Sequence, residues 1–359
     1  MRKGGAAEAV HIAGAGPAGL AAAITLARAG REAIVHEARP TVGYRFRRDL
    51  QGLENWTLAQ DVITELEALG LSTAFDRAPC TRGVVYDPQG RARIVHSDAS
   101  IFYLVERGPG TGTLDAALLT QARALGVTVR FNSRLGPLDA PAVLAAGPKQ
   151  ADAIAVGYHF DTAMPDGFWV ICDDSLAPQG YAYLLVMHGK GTVKSCMFSG
   201  FQKRHLHVER TVAAFRRLVG LEMRDPRPHG GVASFRHPAS VSAGGRRLAG
   251  EAAGFQDALW GFGMRFAMRS GVLAARALIE HEDYDALCQR ELRPWLRTSI
   301  VNRALYGLLG NRGYPWFLWR AASGDAREFL RRQYRPSLLK RVLESWLLSG
   351  GSTSQLGSH

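Results

Sequence analysis

Residues 9–37 read AVHIAGAGPAGLAAAITLARAGREAIVHE. The stretch divides into strand, glycine turn, helix and second strand. Val10, Ile12 and Ala13 make a short apolar run suited to a strand buried on both faces. Gly14, Gly16 and Gly19 follow at G-x-G-x-x-G spacing. The first glycine permits a tight turn, the second lets a pyrophosphate approach the backbone, and the third lets the helix pack close to the strand. Pro17 suits the first helical turn, where its missing N–H costs nothing. The pattern predicts a helix from Ala18 to Ala29 that stops at Gly30. A second strand, Ala33 to Val35, leads to Glu37, 23 residues after Gly14. An acidic side chain there can accept from ribose hydroxyls. Strand, helix, strand and terminal acid thus fall in the order a dinucleotide site requires. Glu37 favours an unphosphorylated ribose, hence FAD or NAD over NADP.

The chain has 359 residues and is 47% hydrophobic, enough for a large core in two interleaved domains. Cys80, Cys172, Cys196 and Cys288 are scattered, with no CxxC pair and no His/Cys cluster at metal spacing. A reduced, cytoplasmic protein without a metal is expected. No stretch approaches the ~20 uninterrupted apolar residues of a membrane span. The first ten residues, MRKGGAAEAV, lead straight into the first strand and do not read as a signal peptide. The net charge is +12, and the segment from Arg290 to Arg341 alone holds twelve Lys/Arg. No nucleic-acid motif accompanies this charge, so nucleic acid is not an expected partner.

Beyond Glu37 and Ala38, the loop carrying Arg45, Arg47 and Arg48 must pass near a bound dinucleotide. Arg45 is read as a contact to it, against the alternative of a solvated basic loop. A short amphipathic helix follows at Asp61 to Leu69. Val84 to Tyr86, a D-P-Q-G turn and Ile94-Val95 form a hairpin, with Ile101 to Val105 as a third strand of the same antiparallel insert. Helix Leu114 to Leu125, strand Val127 to Phe131 and the short strand Val143 to Gly147 return to the nucleotide domain. Phe168 to Cys172, Tyr181 to Met187 and Thr192 to Phe198 make a second antiparallel piece, with a turn at His188 to Gly191. Helix Val208 to Leu218 follows. The expected fold class is α/β with an α+β insert. A Rossmann-like FAD-binding domain (5–75, 107–150 and 235–285) is interleaved with an antiparallel-sheet substrate domain (76–106 and 151–234). A C-terminal helical region spans 286–350, and a disordered tail 351–359.

Leu248 to Leu278 carries a second motif. A short strand enters Gly250-Glu251, a loop holds Gly254, Gly261 and Gly263, and a helix starts at about Met264. A helix N-terminus preceded by glycines presents free N–H groups and a positive dipole end to an electron-rich ligand edge, such as the pyrimidine end of a flavin. The alternative is a helix start packed on another helix.

GAGPAGLAAA with GEAAGFQDALWGFGMRFAMRSG resembles the FAD-dependent oxidoreductases of the p-hydroxybenzoate hydroxylase fold, and within them the geranylgeranyl reductase branch. Gly250, Ala252, Ala253, Gly254, Asp257, Gly261 and Gly263 match that branch's late motif. Tyr103 to Arg107 resembles the strand and arginine ahead of its second nucleotide-domain helix. Tyr181-Ala182-Tyr183 resembles the aromatic strand lining its substrate cavity. The resemblance implies FAD held by Gly14, Gly16, Pro17, Ala18, Gly19, Glu37, Ala38, Arg45, Arg107, Gly250, Glu251, Gly261, Gly263 and Met264. Three departures stand out. Glu251 replaces the usual Asp. Ala258 and Met264 replace Pro and Ile. Ala145-Ala146-Gly147-Pro148 lacks the Asp-Gly that hydroxylases of this fold link to NADPH handling.

The activity so implied is hydride transfer from flavin to a double bond of an apolar, isoprenoid-like substrate, with NAD(P)H or a separate electron carrier as reductant. The second carbon needs a proton. Tyr181, Tyr183, Cys172 and His96 are the candidate donors, because they lie in the sheet expected to roof the flavin. For each, an ordinary half-buried strand residue is the alternative. A flavin monooxygenase on an aromatic or natural-product scaffold, and a flavin-binding protein without turnover, are the competing readings. In the tail, Ser337 to Leu348 reads as a helix with Leu339, Val342, Leu343, Trp346 and Leu347 on one side. Together with Tyr314 to Arg320, it makes residues 290–348 a candidate contact with an anionic membrane surface at the cytoplasmic face. A helical cap packed on the core is the alternative.

Overall fold

The computed structural model describes residues 8–136, 141–148, 150–235 and 238–343. From the N-terminus, β1 (Val10–Ala13), α1 (Pro17–Arg28) and β2 (Ala33–Glu37) form the expected βαβ unit. Then come β3 (Asp49–Glu54), α2 (Val62–Ala68), β4 (Arg77–Cys80), β5 (Arg82–Tyr86), β6 (Ala92–His96) and β7 (Phe102–Arg107). Helix α3 (Leu114–Ala124) and strands β8 (Thr128–Phe131) and β9 (Ala142–Leu144) follow. A long β-rich run holds β10 (Ala153–Asp161), β11 (Gly167–Ile171), β12 (Tyr181–Met187), β13 (Lys190–Met197), α4 (Arg204–Val219) and β14 (Arg224–Ala233). The hairpin β15 (Ser242–Ala243) and β16 (Arg246–Leu248) leads to α5 (Met264–Ile279), α6 (Tyr284–Glu291), α7 (Arg293–Ala322) and α8 (Ala326–Tyr334).

Three sheets result. The first has order β15-β16-β9-β1-β2-β8 and is parallel except for the β15–β16 hairpin. Its strands are less uniformly buried than expected: β1 alternates, with Val10 and Ile12 buried and His11 and Ala13 half-buried. The second has order β14-β10-β13-β12-β11-β5-β6. It is antiparallel except where β5 runs parallel to β11, so this half is a mixed sheet rather than a purely antiparallel one. The third is a small antiparallel sheet, β3-β7-β4.

That third sheet corrects the reading of Ile101 to Val105 as a partner of the β5–β6 hairpin. β7 pairs instead with β3 and β4. Four of its six residues are buried, so it sits in the interior with strands on both sides, while β6 has only Val95 buried and lies at an edge. Five strands escaped the sequence reading: β3, β4, β10, β14 and the two-residue β15. β10 pairs β13 over its whole length, and β14 forms the sheet's far edge despite Pro226 and Pro228. Proline is tolerated there because an edge strand leaves one row of N–H groups unpaired.

Helices α1 and α5 cross in close contact under the first sheet. A Cβ on Gly271 would lie 2.0 Å from the Ala18 carbonyl oxygen, so only glycine permits this approach. Below them, the fully buried Arg265 is satisfied by Glu65 and Glu54 from α2 and β3. α4 covers the outer face of the seven-stranded sheet with Val212 and Phe215. α7 and α8 cover part of its inner face with Tyr306, Tyr314, Leu318 and Tyr334. Helices α7 and α8 thus pack on the core. Gly271→Ala is expected to destabilise the protein by about 1–3 kcal/mol through overpacking. Urea unfolding measures it, and an unchanged midpoint would contradict the packing described.

Candidate functional site

A single cavity of about 670 Å³ runs between the three sheets. The glycine motifs occupy one end. Gly14 adopts φ +99°, and a Cβ there would lie 2.4 Å from the Ala145 carbonyl oxygen. Gly19 faces the Gly14 oxygen, which a Cβ would approach to 1.9 Å. Gly16 is different: a Cβ would meet nothing within 4 Å. Its open face lies at the N-terminus of α1, where no side chain caps the first N–H groups. That is a cradle shaped for a phosphate oxygen. Glu37 closes its rim, accepting from the Ala15 N–H at 2.8 Å and the Arg39 N–H at 2.9 Å.

The late motif faces the same cavity. Gly250 (φ +61°) and Gly261 (φ +73°) make the turns, and the Gln256 side-chain amide donates to the Gly261 carbonyl at 2.8 Å. α5 begins at Met264 with no side-chain cap. Asp257 is buried behind this loop and accepts from the Trp260 N–H at 2.7 Å and the Tyr334 hydroxyl at 2.6 Å. Burial raises its carboxyl to about 6. Burial likewise raises Glu251 to about 7, against a bond from the Ser234 N–H and attraction to Arg45 and Arg107.

Of the residues assigned to the cofactor, all but Gly19 line this cavity. Gly19 lies behind the cradle and shapes it. Arg45 is exposed at the rim, its guanidinium near Gly147. Arg107 is buried and engaged, donating to Asp115 at 2.7 and 2.8 Å and to Gln51 at 3.0 Å. Together the cradle, the rim acid and the second uncapped helix start fit an FAD.

The other end of the cavity is apolar and aromatic, lined by Phe102, Phe168, Leu185, Trp260, Phe262 and Phe317 among others. Three of the four proton-donor candidates lie here. The Tyr181 hydroxyl donates to the Trp260 carbonyl and is thereby tied down. Cys172 is fully buried, and burial pushes its thiol up to about 12. Tyr183 lines the cavity, and burial, with Asp49 behind it, raises its hydroxyl well above the ordinary value. His96 does not line the cavity. It is exposed at the end of β6, bridged to Asp325 before α8.

Sequence reasoning missed the polar floor between the two ends. Asp49 and Lys194 line the cavity as a buried pair, with Nζ 2.6 Å from Oδ1. The available signal was slight, a lysine within a strand that also carries Lys190, Thr192 and Ser195. It also missed Phe317, Leu318, Phe329 and Leu330 from α7 and α8, which close the apolar end.

Residues 12–56 match the family of NAD(P)-binding Rossmann-like domains. A digeranylgeranylglycerophospholipid reductase of Methanosphaerula palustris is 27% identical over 321 residues, covering 76% of each chain. Among solved structures, a geranylgeranyl bacteriochlorophyll reductase-like protein from Thermoplasma acidophilum superimposes with a TM-score of 0.71. It is 16% identical and covers 94% of this chain and 96% of its own. The fold is that of the geranylgeranyl reductase-like FAD-dependent oxidoreductases. The same architecture serves other flavin chemistry: the flavin-dependent brominase Bmp2 has a TM-score of 0.67 at 13% identity, covering 96% of this chain and 99% of its own. The likeness in fold therefore extends over nearly the whole chain.

Two outcomes test the site. Gly16→Val should leave the stability of the cofactor-free protein nearly unchanged, because its side chain would enter open space. It should weaken FAD binding by tenfold or more, on the order of 1.4 kcal/mol, as read by fluorescence titration. Equal affinity would contradict the cradle. For Glu251 the sign follows from its raised value. A carboxyl raised on folding contributes stability that is complete below its unfolded value near 4.5 and is lost as pH rises through about 7. Glu251→Gln should therefore melt with the wild type at pH 5 and several degrees above it at pH 8.5, in cofactor-free protein followed by calorimetry.

Proposed function

We propose that the protein is an FAD-dependent reductase that saturates double bonds of an isoprenoid-like, membrane-derived substrate. One observation carries the reading: the dinucleotide cradle opens without interruption into an aromatic chamber closed by α7 and α8. A long apolar chain can lie in that chamber beside the ring system of a flavin. The name of the relative from Methanosphaerula palustris supplies the substrate class. When bound, FAD would supply the hydride, after reduction by NAD(P)H or a separate carrier.

The chain's own residues position and exclude. Phe102, Phe168, Phe262 and Trp260 shed water from the reacting double bond, which stabilises the bound chain by burial of apolar area. Tyr183 is our assignment for the proton donor, because it lines the cavity while the Tyr181 hydroxyl is held by the Trp260 carbonyl. Cys172, with its thiol at about 12 and fully buried, packs beside them.

The outer side of α7 and the residues after α8 support a membrane source for the substrate. Leu308 is 83% exposed, Trp316 59%, Leu338 78% and Leu339 69%. Arg312, Arg320 and Arg335 are exposed around them. Aromatic and aliphatic side chains ringed by arginine suit an anionic lipid surface. Residues 338–343 are helical, as expected, and residues 344–348 and the 351–359 tail lie outside the described residues. Among the described residues no helix is long and apolar enough to cross a membrane. Phe317 and Leu318 on the same helix line the chamber, so α7 touches both the proposed lipid surface and the substrate end.

Two measurements test this. Holoprotein with a reductant and digeranylgeranylglycerophospholipid should yield hydrogenated lipid by mass spectrometry, and Tyr183→Phe should slow the reaction by about 100-fold. Oxygen-dependent NAD(P)H consumption stimulated by an aromatic compound, with the lipid untouched, would favour a monooxygenase instead. The protein should co-sediment with vesicles rich in anionic lipid, and Leu308→Glu with Trp316→Glu should abolish this without changing FAD affinity. Equal sedimentation of that variant would contradict the assigned surface.

A further inference from the structure

A second, smaller cavity of about 250 Å³ lies between α6, the start of α7 and the segment after α8. Gln289 comes from α6, Arg297 and Thr298 from the first turns of α7, and Ser337, Lys340 and Arg341 from the later segment. Three of these six are cations. No Asp or Glu is among the described residues that line the cleft. It is separate from the cavity that fits the flavin, since no residue lines both.

Lys340 decides what the cleft can bind. Its side chain is half-buried, and its ammonium donates to the Gln333 carbonyl, which also accepts from the Asn302 amide at 2.9 Å. An ammonium carries three N–H donors. The other two find no acceptor among the described residues, and no carboxylate among them pairs with Lys340. Burial lowers its proton affinity, with no neighbouring acid acting against it. Ser337 Oγ accepts from the Lys340 backbone N–H at 3.3 Å, so its own O–H is left to donate. A desolvated cation with unused donors is costly until an anion meets it, and a phosphate oxygen is a strong acceptor for such donors.

The same short segment carries exposed apolar side chains. Leu338, Leu339 and Val342 are all exposed, and Lys340 and Arg341 lie between them in the sequence. Cations interleaved with exposed aliphatic side chains match a surface that presents phosphate above acyl chains. A soluble nucleotide or an acidic peptide would satisfy the cations and leave the leucines in water.

We propose that this cleft seats the terminal phosphate of an anionic phospholipid, a phosphate monoester presented at a membrane surface. Lys340 is its central contact. Arg297 and Arg341 add positive charge, and the Ser337 hydroxyl and the Gln289 amide add donors. A monoester turns three oxygens toward such a set, whereas a diester has one of them covered by its second substituent. The proposal rests on the membrane reading above. It extends that reading from general charge and apolar area to one headgroup and one pocket, which would hold α7 at the lipid surface while its inner side lines the chamber.

The test uses the full-length, FAD-loaded protein and two sets of phosphatidylcholine vesicles, one carrying phosphatidic acid and one phosphatidylserine, matched in surface potential. The wild type should co-sediment with the phosphatidic acid vesicles about tenfold more tightly, a preference that surface charge alone does not supply. Lys340→Gln should bring the two affinities together with FAD affinity unchanged, and Lys340→Arg should retain the preference. In the wild type, glycerol 1-phosphate should slow acetylation of the Lys340 amine, read by peptide mass spectrometry, and glycerol should not. That arm needs no variant to fold. Equal wild-type affinities for the two vesicles, or a preference that survives Lys340→Gln, would overturn the seat. Protection by glycerol 1-phosphate without any vesicle preference would overturn the lipid assignment in favour of a soluble phosphate ester. A wild type that binds neither vesicle would sink the membrane reading itself, and the lipid seat with it.

Discussion

The buried pair of Asp49 and Lys194 joins parts of the molecule that sequence keeps far apart. β3 belongs by hydrogen bonding to the small central sheet, yet its first residues are held by the seven-stranded one. Asp49 takes the Lys194 ammonium, and the Leu50 N–H donates to Thr192 Oγ1 at 3.1 Å. From there the bonds continue. The Gln51 amide donates to Asp49 at 2.8 Å, Arg107 donates to Gln51, and Arg107 grips Asp115 at the start of α3. One unbroken chain of polar contacts thus runs from the cavity face of the sheet to the nucleotide-binding half. Both ions are desolvated, so their attraction is set against the cost of leaving water. Removing one partner alone would leave a buried charge and cost about 3–5 kcal/mol. That penalty fixes the relative position of the two walls between which a flavin would lie.

The C-terminal helices complete the enclosure from the opposite side. Tyr334 reaches from the end of α8 to Asp257 inside the late glycine loop. Asn311 and Tyr314 fasten α7 to Asp173 and Asp174 between β11 and β12. α7 breaks its helical geometry at Gly310, where φ is +49°. The break lets residues on one side of the helix face the chamber while Leu308 and Trp316 face outward. A helix used on both sides shows little net amphipathic character, which is why its sequence reads as loosely apolar rather than as a clear stripe.

What the sequence revealed follows from how local each signal is. The βαβ unit was legible in full, because its glycine spacing, its helix stop at Gly30 and its terminal Glu37 lie within thirty residues and obey one geometry. Helices α2 and α3 were legible for the same reason, each starting at an Asp or Thr cap. Strand pairing was not. β7 could not be assigned to β3 and β4 from its own residues, since any buried strand carries the same apolar run. β14 resembled a loop, because its two prolines and two glycines are acceptable only at an edge that topology alone creates. Gly14 and Gly250 were legible because their positive φ favours glycine, and Gly19 because the Gly14 carbonyl leaves no room for a Cβ. Asp49 and Lys194 were not, because 145 residues separate them and only the folded sheet brings them together. His96 looked eligible by strand membership, but its strand turned out to be the outer edge.

The central claim is that one continuous cavity holds FAD beside an apolar double bond. The most direct measurement is a visible absorption spectrum under nitrogen, taken on protein reconstituted with FAD, bleached with just sufficient dithionite and then mixed with digeranylgeranylglycerophospholipid. The account predicts that the oxidised flavin band returns on adding the lipid and stays bleached with saturated lipid. A protein that retains no flavin after gel filtration, or a band that returns only when oxygen is admitted, would contradict it.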